Sequence, residues 1–451
     1  MGKADNSTGI IASVSDSAFL RWLERLVNVE PNEVRGLLWA FAYFFSLLCS
    51  YYIIRPIRDE MGIAGGVENL QWLFTGTFLV MVAVVPVFGW ITSRFPRRQF
   101  LPYVYYFFIT NLFVFFILLT SGVTHAYAAR TFYIWVSVFN LFVVSVFWSF
   151  MADIFTNDQA KRLFAFIAAG GTTGALAGPL LTTTLVGILG PINLLLFSAV
   201  LLGCAVLCIQ RLSDWQAHQG QSAPGASKAQ HKTGADEEDR GLRGGIWAGI
   251  QMVLRSPYLL GICVLVLLYT TLSTFLYFQQ AQIIRDSFRD SSTRTAVFAG
   301  MDLAVNALTI ICQVFLTGRI VHTVGIAWTL AVIPLITVAG FLCLALAPVL
   351  IVLVSLQVVR RAGNYALMRP AREMLFVVVN REEKYKAKNF IDTAVYRAGD
   401  VASAWVYTGL KGLGLSLAAI ALMAVPLAGI WGWVAFTLGR KQEKLATQRP
   451  Q

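Results

Sequence analysis

The sequence predicts an all-α polytopic membrane protein, twelve transmembrane helices in two six-helix halves, and three observations predict it. Hydrophobic residues occupy 57% of 451 positions and charged residues 13%, with a mean hydropathy of +0.65; a soluble domain carries roughly 25% charged residues to wet its surface. The apolar residues gather in runs of about 20, the length a helix needs to cross ~30 Å of hydrocarbon with every backbone amide satisfied internally. A single long polar stretch divides those runs into six and six.

The first half (36–211) holds runs at 36–60, 69–92, 100–121, 131–152, 163–187 and 192–211. The second half (257–437) holds runs at 257–281, 294–316, 326–346, 349–379, 389–411 and 414–437. The run at 349–379 is long, and Arg369-Pro370 should kink or break it, because proline lacks the amide that the preceding turn needs. Residues 212–256 form a cytoplasmic linker whose part 212–245, rich in Gly, Ser, Ala and charge, cannot build a core. Residues 438–451 form a polar tail. Within 1–35, residues 15–29 place Phe19, Leu20, Trp22, Leu23, Leu26 and Val27 on one helical face; this segment and 246–255 suit helices lying in the membrane interface. Residues 1–14 are hydrophilic, so no cleavable signal is expected, and the start lacks the Ser or Thr at position six that myristoylation needs.

The formal charge of +12 invites a nucleic-acid role, but lysine and arginine collect in the loops of one side. With both termini inside, 24 of the 36 lie cytoplasmic. The outer side keeps Arg55, Arg58, Arg130, Arg285, Arg289, Arg294 and Lys411, a bias that sets orientation and needs no nucleic acid. The lipid bilayer of a bacterial inner membrane is the expected surrounding, and a monomer the expected state. The six cysteines (Cys49, Cys204, Cys208, Cys263, Cys312, Cys343) fall in apolar runs and are read as packing residues. Neither metal-spaced histidines, a phosphate-binding Gly-rich loop nor a hydrolase elbow occurs, so no enzyme and no cofactor is expected. Gly170, Gly174 and Gly178, four apart, let helices approach closely.

Residues 89–98 (GWITSRFPRR) and 318–325 (GRIVHTVG) follow the second span of each half. Both resemble the major facilitator loop motif, Gly-x-x-x-Asp-Arg-x-Gly-Arg-Lys, with Ser93 and His322 in the acid's place and Pro96 in place of a glycine. That resemblance implies a major-facilitator-type fold with solute bound between the halves near mid-membrane.

Ionisable side chains inside spans are costly and mark candidate sites. Arg58, Asp59 and Glu60 close the first span, where a wetted helix end competes with a functional reading. The tenth span holds Arg360, Arg361, Asn364, Arg369, Arg372 and Glu373; Arg361 with Asn364, and Arg369 with Arg372, each share a face. The eleventh holds Asp392, Tyr396, Arg397 and Asp400, with Asp392, Arg397 and Asp400 read as coupling or gating groups. Asp302 stands alone in the eighth. Four arginines against the two nearby acids leave surplus guanidinium, which suits bidentate capture of phosphate or carboxylate. Tyr277 and Trp148 are the two aromatic residues singled out as candidate solute contacts.

Three stretches, SYYIIRPIRDEMG (50–62), FVVSVFWSFMADIFTNDQAKRLFAFIAAGG (142–171) and NYALMRPAREMLFVVVNREEKYKAKNFIDTAVYRAGD (364–400), make the chain similar to the ATP/ADP antiporters of plastids and obligate intracellular bacteria. The resemblance implies a secondary transporter without a nucleotide-hydrolysing domain, exchanging a small anionic solute. It places cavity cations at Arg58, before Asp59, and at Arg372, before Glu373. The family's two cavity glutamates fall near Ser137 and Tyr277. The expected solute site is therefore Arg58, Asp59, Tyr277, Arg361, Asn364, Arg369 and Arg372. Two other readings stand beside it: proton-coupled transport of a peptide, siderophore or other carboxylated solute, and a non-transporting membrane sensor or scaffold.

Overall fold

The computed structural model describes residues 29–94, 97–122, 125–221 and 246–448, which are helices joined by short connections, with no strand among them. The expected interfacial helix at 15–29 and most of the polar linker lie outside the described residues. The first half comprises α1 (Val34–Ala64), α2 (Leu70–Arg94), α3 (Arg97–Ser121), α4 (His125–Ile154), α5 (Asn157–Leu189) and α6 (Leu194–Gln221). Helix α6 runs about three turns into the stretch read as linker.

The short α7 (Ile246–Arg255) precedes α8 (Pro257–Ser287), α9 (Ser291–Cys312) and α10 (Gly318–Leu346), the last two joined by a π turn at Gln313–Thr317. Next come α11 (Leu350–Gly363) and α12 (Arg369–Leu375) around a π turn at Asn364–Met368. A third π turn at Ile391–Val395 joins α13 (Arg381–Phe390) to α14 (Tyr396–Gly412), and α15 (Leu417–Gln448) follows.

Ten stretches among the described residues are long and apolar enough to cross a membrane. One of them, Ser291–Leu346, is 56 residues long and turns at Gly325, whose φ of 81° a side chain rarely adopts. It supplies two of the expected spans. The continuous helix 381–412 carries too many charges to qualify by composition. Large apolar side chains such as Leu79, Phe107, Ile117, Val200 and Trp433 point outward, as lipid contact permits and water does not.

Local chemistry sets several helix ends. Thr156 and Gln159 form a reciprocal capping box at the start of α5. Ser256 caps α8 ahead of Pro257, and Asp290 caps α9. Beyond the Gly325 turn, the Glu443 carboxylate of α15 accepts from the Ala327 amide at 3.1 Å.

The packing forms two cores. One gathers buried residues from Val29 to Leu212. The other gathers Val253 to Leu438 and is joined by Ile63, Leu70, Leu73 and Tyr133 from the first half. Helix α1 lies deep in the first, with Leu37, Ala40, Tyr43, Leu47, Ile54 and Ile57 inaccessible. Glycines of α5 press against it: a Cβ on Gly170 would sit 2.6 Å from the Phe41 carbonyl, and one on Gly178 2.7 Å from that of Cys49. These glycines serve close packing.

The halves meet on α1, α2, α5, α8, α9 and α14. Their polar contacts gather toward the end of the bundle away from Val34 and Gln448. Glu60 of α1, fully buried, takes two bonds from Arg294 of α9 at 2.6 and 2.7 Å. Glu68 bonds Arg285 of α8 at 2.6 Å, and the Trp405 indole of α14 bonds Thr75 of α2 at 3.1 Å. Of the two readings open for Arg58 and Glu60, the wetted helix end does not fit: α1 continues to Ala64, so both lie inside the bundle.

Candidate functional site

Two cavities lie between the halves and share Tyr396 and Arg397 as a common wall. The smaller, about 190 Å³, is lined by Arg58 and Thr77 from the first half, Tyr133 and Ser137 of α4, Ser273, Thr274 and Tyr277 of α8, and Arg397 and Asp400 of α14. The larger, about 490 Å³, lies nearer the end carrying the described termini. Its wall includes Asn140, Tyr269, Asn364, Tyr365, Arg369, Arg372, Glu373, Lys388 and Asp392. Together the walls hold five cations (Arg58, Arg369, Arg372, Lys388, Arg397) against three carboxylates (Glu373, Asp392, Asp400). The balance is positive.

The cations differ in how far they are satisfied. Arg58 bonds its neighbour Asp59 at 2.6 Å and lies 5.1 Å from the Tyr133 ring centroid. Asp59 also accepts from the Tyr277 hydroxyl at 3.0 Å, so a carboxylate of α1 is tied to α8 across the halves. Asp59 thus orients Arg58 from behind rather than lining the cavity. Arg372 approaches Asp392 at 3.1 Å, yet Arg372 Nε and Asp392 Oδ1 have no hydrogen-bond partner. Its charge is balanced while part of its bonding capacity is open. Arg397 faces Asp400 at 3.8 Å, beyond a good hydrogen bond. Lys388 bonds Glu373. Arg369 makes no ion pair among the described residues.

Arg361, expected in the solute site, is turned elsewhere. It bonds Asp302 of α9 at 2.6 Å, and Arg55 of α1 reaches the same carboxylate at 3.5 Å. Asp302 is therefore not alone, and the expected arginine surplus is smaller than local spacing suggested: Asp302 takes Arg361, and Asp392 meets Arg372. Asn364 lines the larger cavity. Trp148 packs edge-on or tilted among Phe44, Phe147 and Phe164, an aromatic cluster of the first core.

Backbone irregularity surrounds the larger cavity. The π turns at 364–368 and 391–395 supply Asn364, Tyr365, Met368 and Asp392 to its wall; such turns insert a residue into a helix and recur at functional sites. Pro370 has no amide for the Ala366 carbonyl four residues earlier. The Thr317 hydroxyl lies 2.9 Å from that oxygen and satisfies it.

Asn140, Tyr269, Tyr365, Lys388, Ser273 and Thr274 were missed as lining groups. Only Asn140 left a local signal, as the single amide in the run 131–152.

A family model described as Major Facilitator Superfamily matches residues 36–371. "ADP,ATP carrier protein 1" of Chlamydia muridarum (strain MoPn / Nigg) is 20% identical over 450 residues, covering 85% of this chain and 83% of that protein. Among solved structures, a bacterial homologue of the human lysosomal transporter Spinster, inward-facing and unoccupied, has a TM-score of 0.60 at 13% identity, covering 92% of this chain and 99% of that one. The POT family transporter PepTSo has a TM-score of 0.59 at 14% identity, covering 92% and 99%. A bacterial homologue of the iron transporter ferroportin, also inward-facing, has a TM-score of 0.60 at 13% identity, covering 90% and 98%. These structural likenesses speak to fold.

Proposed function

The chain belongs to the Major Facilitator Superfamily, and from that premise we propose that this multi-pass membrane transporter carries a small anionic solute, exchanged in the manner of the nucleotide carriers it resembles. One observation carries the reading: the two neighbouring cavities between the halves hold five cations against three carboxylates. Among the described residues Arg369 makes no ion pair, and Arg372 keeps an open Nε. Guanidinium groups in that condition favour a bidentate oxyanion over a neutral ligand. Ser137 and Tyr277, near which the antiporter resemblance expects glutamates, line the smaller cavity beside Arg58. Hydroxyls there instead of acids leave Arg58 less opposed by negative charge.

In this reading the solute enters the larger cavity from the side of the termini, taken as the cytoplasmic side of a bacterial inner membrane. Arg369, Arg372 and Asn364 hold it, and Arg397 hands it toward Arg58 and Tyr277. Asp392, Arg397 and Asp400 act as coupling groups, and Asp59 and Arg361 position their neighbours. Opening the far side requires the Glu60–Arg294, Glu68–Arg285 and Asp59–Tyr277 contacts to part, as rocking of two halves around a fixed site demands.

The test is uptake by proteoliposomes of a labelled anion panel (nucleoside di- and triphosphates, sugar phosphates). At least one member is expected to be transported. Arg58→Ala and Arg372→Ala should each cut that flux tenfold or more while the variants still elute as folded protein. Undiminished uptake in both variants contradicts the reading. Loss of flux with a protonophore but not on emptying the lumen of anion would select proton coupling through Asp400 over exchange.

A further inference from the structure

Arg360 of α11 belongs to neither cavity wall. It is 3% exposed, and among the described residues no carboxylate pairs with it. One amide holds it: Nη2 donates to Gln357 Oε1 at 2.9 Å, and Gln357 in turn donates to Gln280. The guanidinium lies over the Tyr269 ring, 5.9 Å from its centroid. Tyr269 belongs to the wall of the larger cavity. It also meets Tyr396, which lines both cavities, with 6.1 Å between ring centroids. A whole positive charge thus stands one side chain behind the wall where the two cavities adjoin.

An amide oxygen and a ring face can hold a guanidinium, but neither carries a charge that cancels it, and arginine does not shed its proton in proteins. A buried cation without a counter-charge is costly, and inside a membrane span such a group marks candidate function. The cations that touch the cavities are offset in part by Glu373, Asp392 and Asp400. Among the described residues nothing offsets Arg360. Its field crosses packed side chains rather than bulk water, so it is screened far less than that of a surface lysine. At roughly 10 Å and an effective dielectric constant of ~20, one such charge favours a singly charged anion by about tenfold.

We propose that Arg360 is a specificity-determining residue, which selects for net negative charge in the larger cavity by its field across Tyr269 and without touching the solute. The proposal rests on the reading of that cavity as the solute site. It adds that part of the selection is indifferent to the solute's shape, because it comes from behind the wall.

The test measures the potential in the cavity with probes that need no knowledge of the solute. Asn140→Cys and Asn364→Cys, made singly in the full chain, put a thiol on the wall of the larger cavity. Purified in lipid nanodiscs, each is treated with methanethiosulfonates of similar size, one bearing a sulfonate and one a trimethylammonium group. Reaction is followed on the peptide that carries the new cysteine. The ratio of anionic to cationic rates reports potential, since changes in access or in thiolate fraction act on both reagents alike. Arg360→Gln removes the charge. Gln357→Glu leaves the guanidinium in place and gives it a carboxylate at the position it already bonds. Each should lower the ratio tenfold or more, and Gln357→Glu decides the matter if Arg360→Gln does not fold. A ratio within twofold of the parent's in the folded variants overturns the proposal. So does a ratio lowered by Arg360→Gln alone, because a rearranged wall and not a lost charge would then be the cause. Failure of every anion in the uptake panel would defeat the solute reading without altering this ratio, so the two can fail separately.

Discussion

Asp302 shows what a single carboxylate settles inside this bundle. Two guanidinium groups, Arg361 at 2.6 Å and Arg55 at 3.5 Å, converge on a side chain only 3% exposed. Removing a buried charge from such a set strands its partners, at a cost of about 3–5 kcal/mol. Asp302→Asn should therefore lower the Tm sharply, and Arg55→Gln should cost less, because Arg361 keeps the carboxylate company. An Asp302→Asn protein that melts with the wild type would show the trio to be idle. Residue-level reading of the sequence found both Asp302 and Arg361 but could not pair them, since 59 positions separate them. Spacing along one helix reports which side chains share a face; it is silent on what another helix brings to that face.

Whole elements were more legible than their charges. Runs of apolar residues, bounded by polar or Gly-containing breaks, locate the helices because lipid allows few alternatives, but they miss where α6 and α15 end: each runs about three turns beyond its apolar run, α15 through most of the stretch read as a polar tail. The glycine ladder of α5 announced a close approach, and α1 supplies it. The π turns left no local mark, being responses to packing and to Pro370. The starts of α1 and α5 add a contact that periodicity cannot show. Glu33, 2% exposed at the head of α1, receives Arg162 at 3.0 and 3.2 Å and Gln159 at 2.9 Å. Desolvation pushes the Glu33 carboxyl upward, but bonds from the Glu30 amide, Gln159 and Arg162 outweigh it and hold the group below its ordinary 4.5. A depressed carboxylate contributes stability that is present above the unfolded value and lost as pH falls through the folded one. Glu33→Gln should then cost about 1–3 kcal/mol at pH 7, and the gap in Tm to the wild type should narrow below pH 4.5. A gap that widens on acidification would contradict the assignment.

At the scale of the molecule, the closed end is held by few polar contacts, and the fully buried Glu60 with Arg294 is the most enclosed of them. Weakening it should shift the population toward the state open on that side. Cysteines placed singly beside Thr77 and Phe74 report this: in Glu60→Gln they should label severalfold faster with a membrane-impermeant thiol reagent supplied from that side. Equal labelling would mean that apolar packing alone keeps the end shut. The cavities were half visible from sequence, through ionisable residues that lipid should exclude. Their polar walls, such as Ser273, Thr274 and Tyr365, look like any other residue of a span until the halves are brought together. The most direct test of the positive cavity is equilibrium binding to the purified protein of matched ligands that differ only in charge, such as a nucleoside and its phosphates, or a sugar and its phosphate. The account predicts that only phosphorylated members bind, and that Arg369→Gln weakens them about tenfold or more, the value of one charge-assisted bond. Neutral members binding as tightly as their phosphates, with Arg369→Gln indifferent to either, would contradict it.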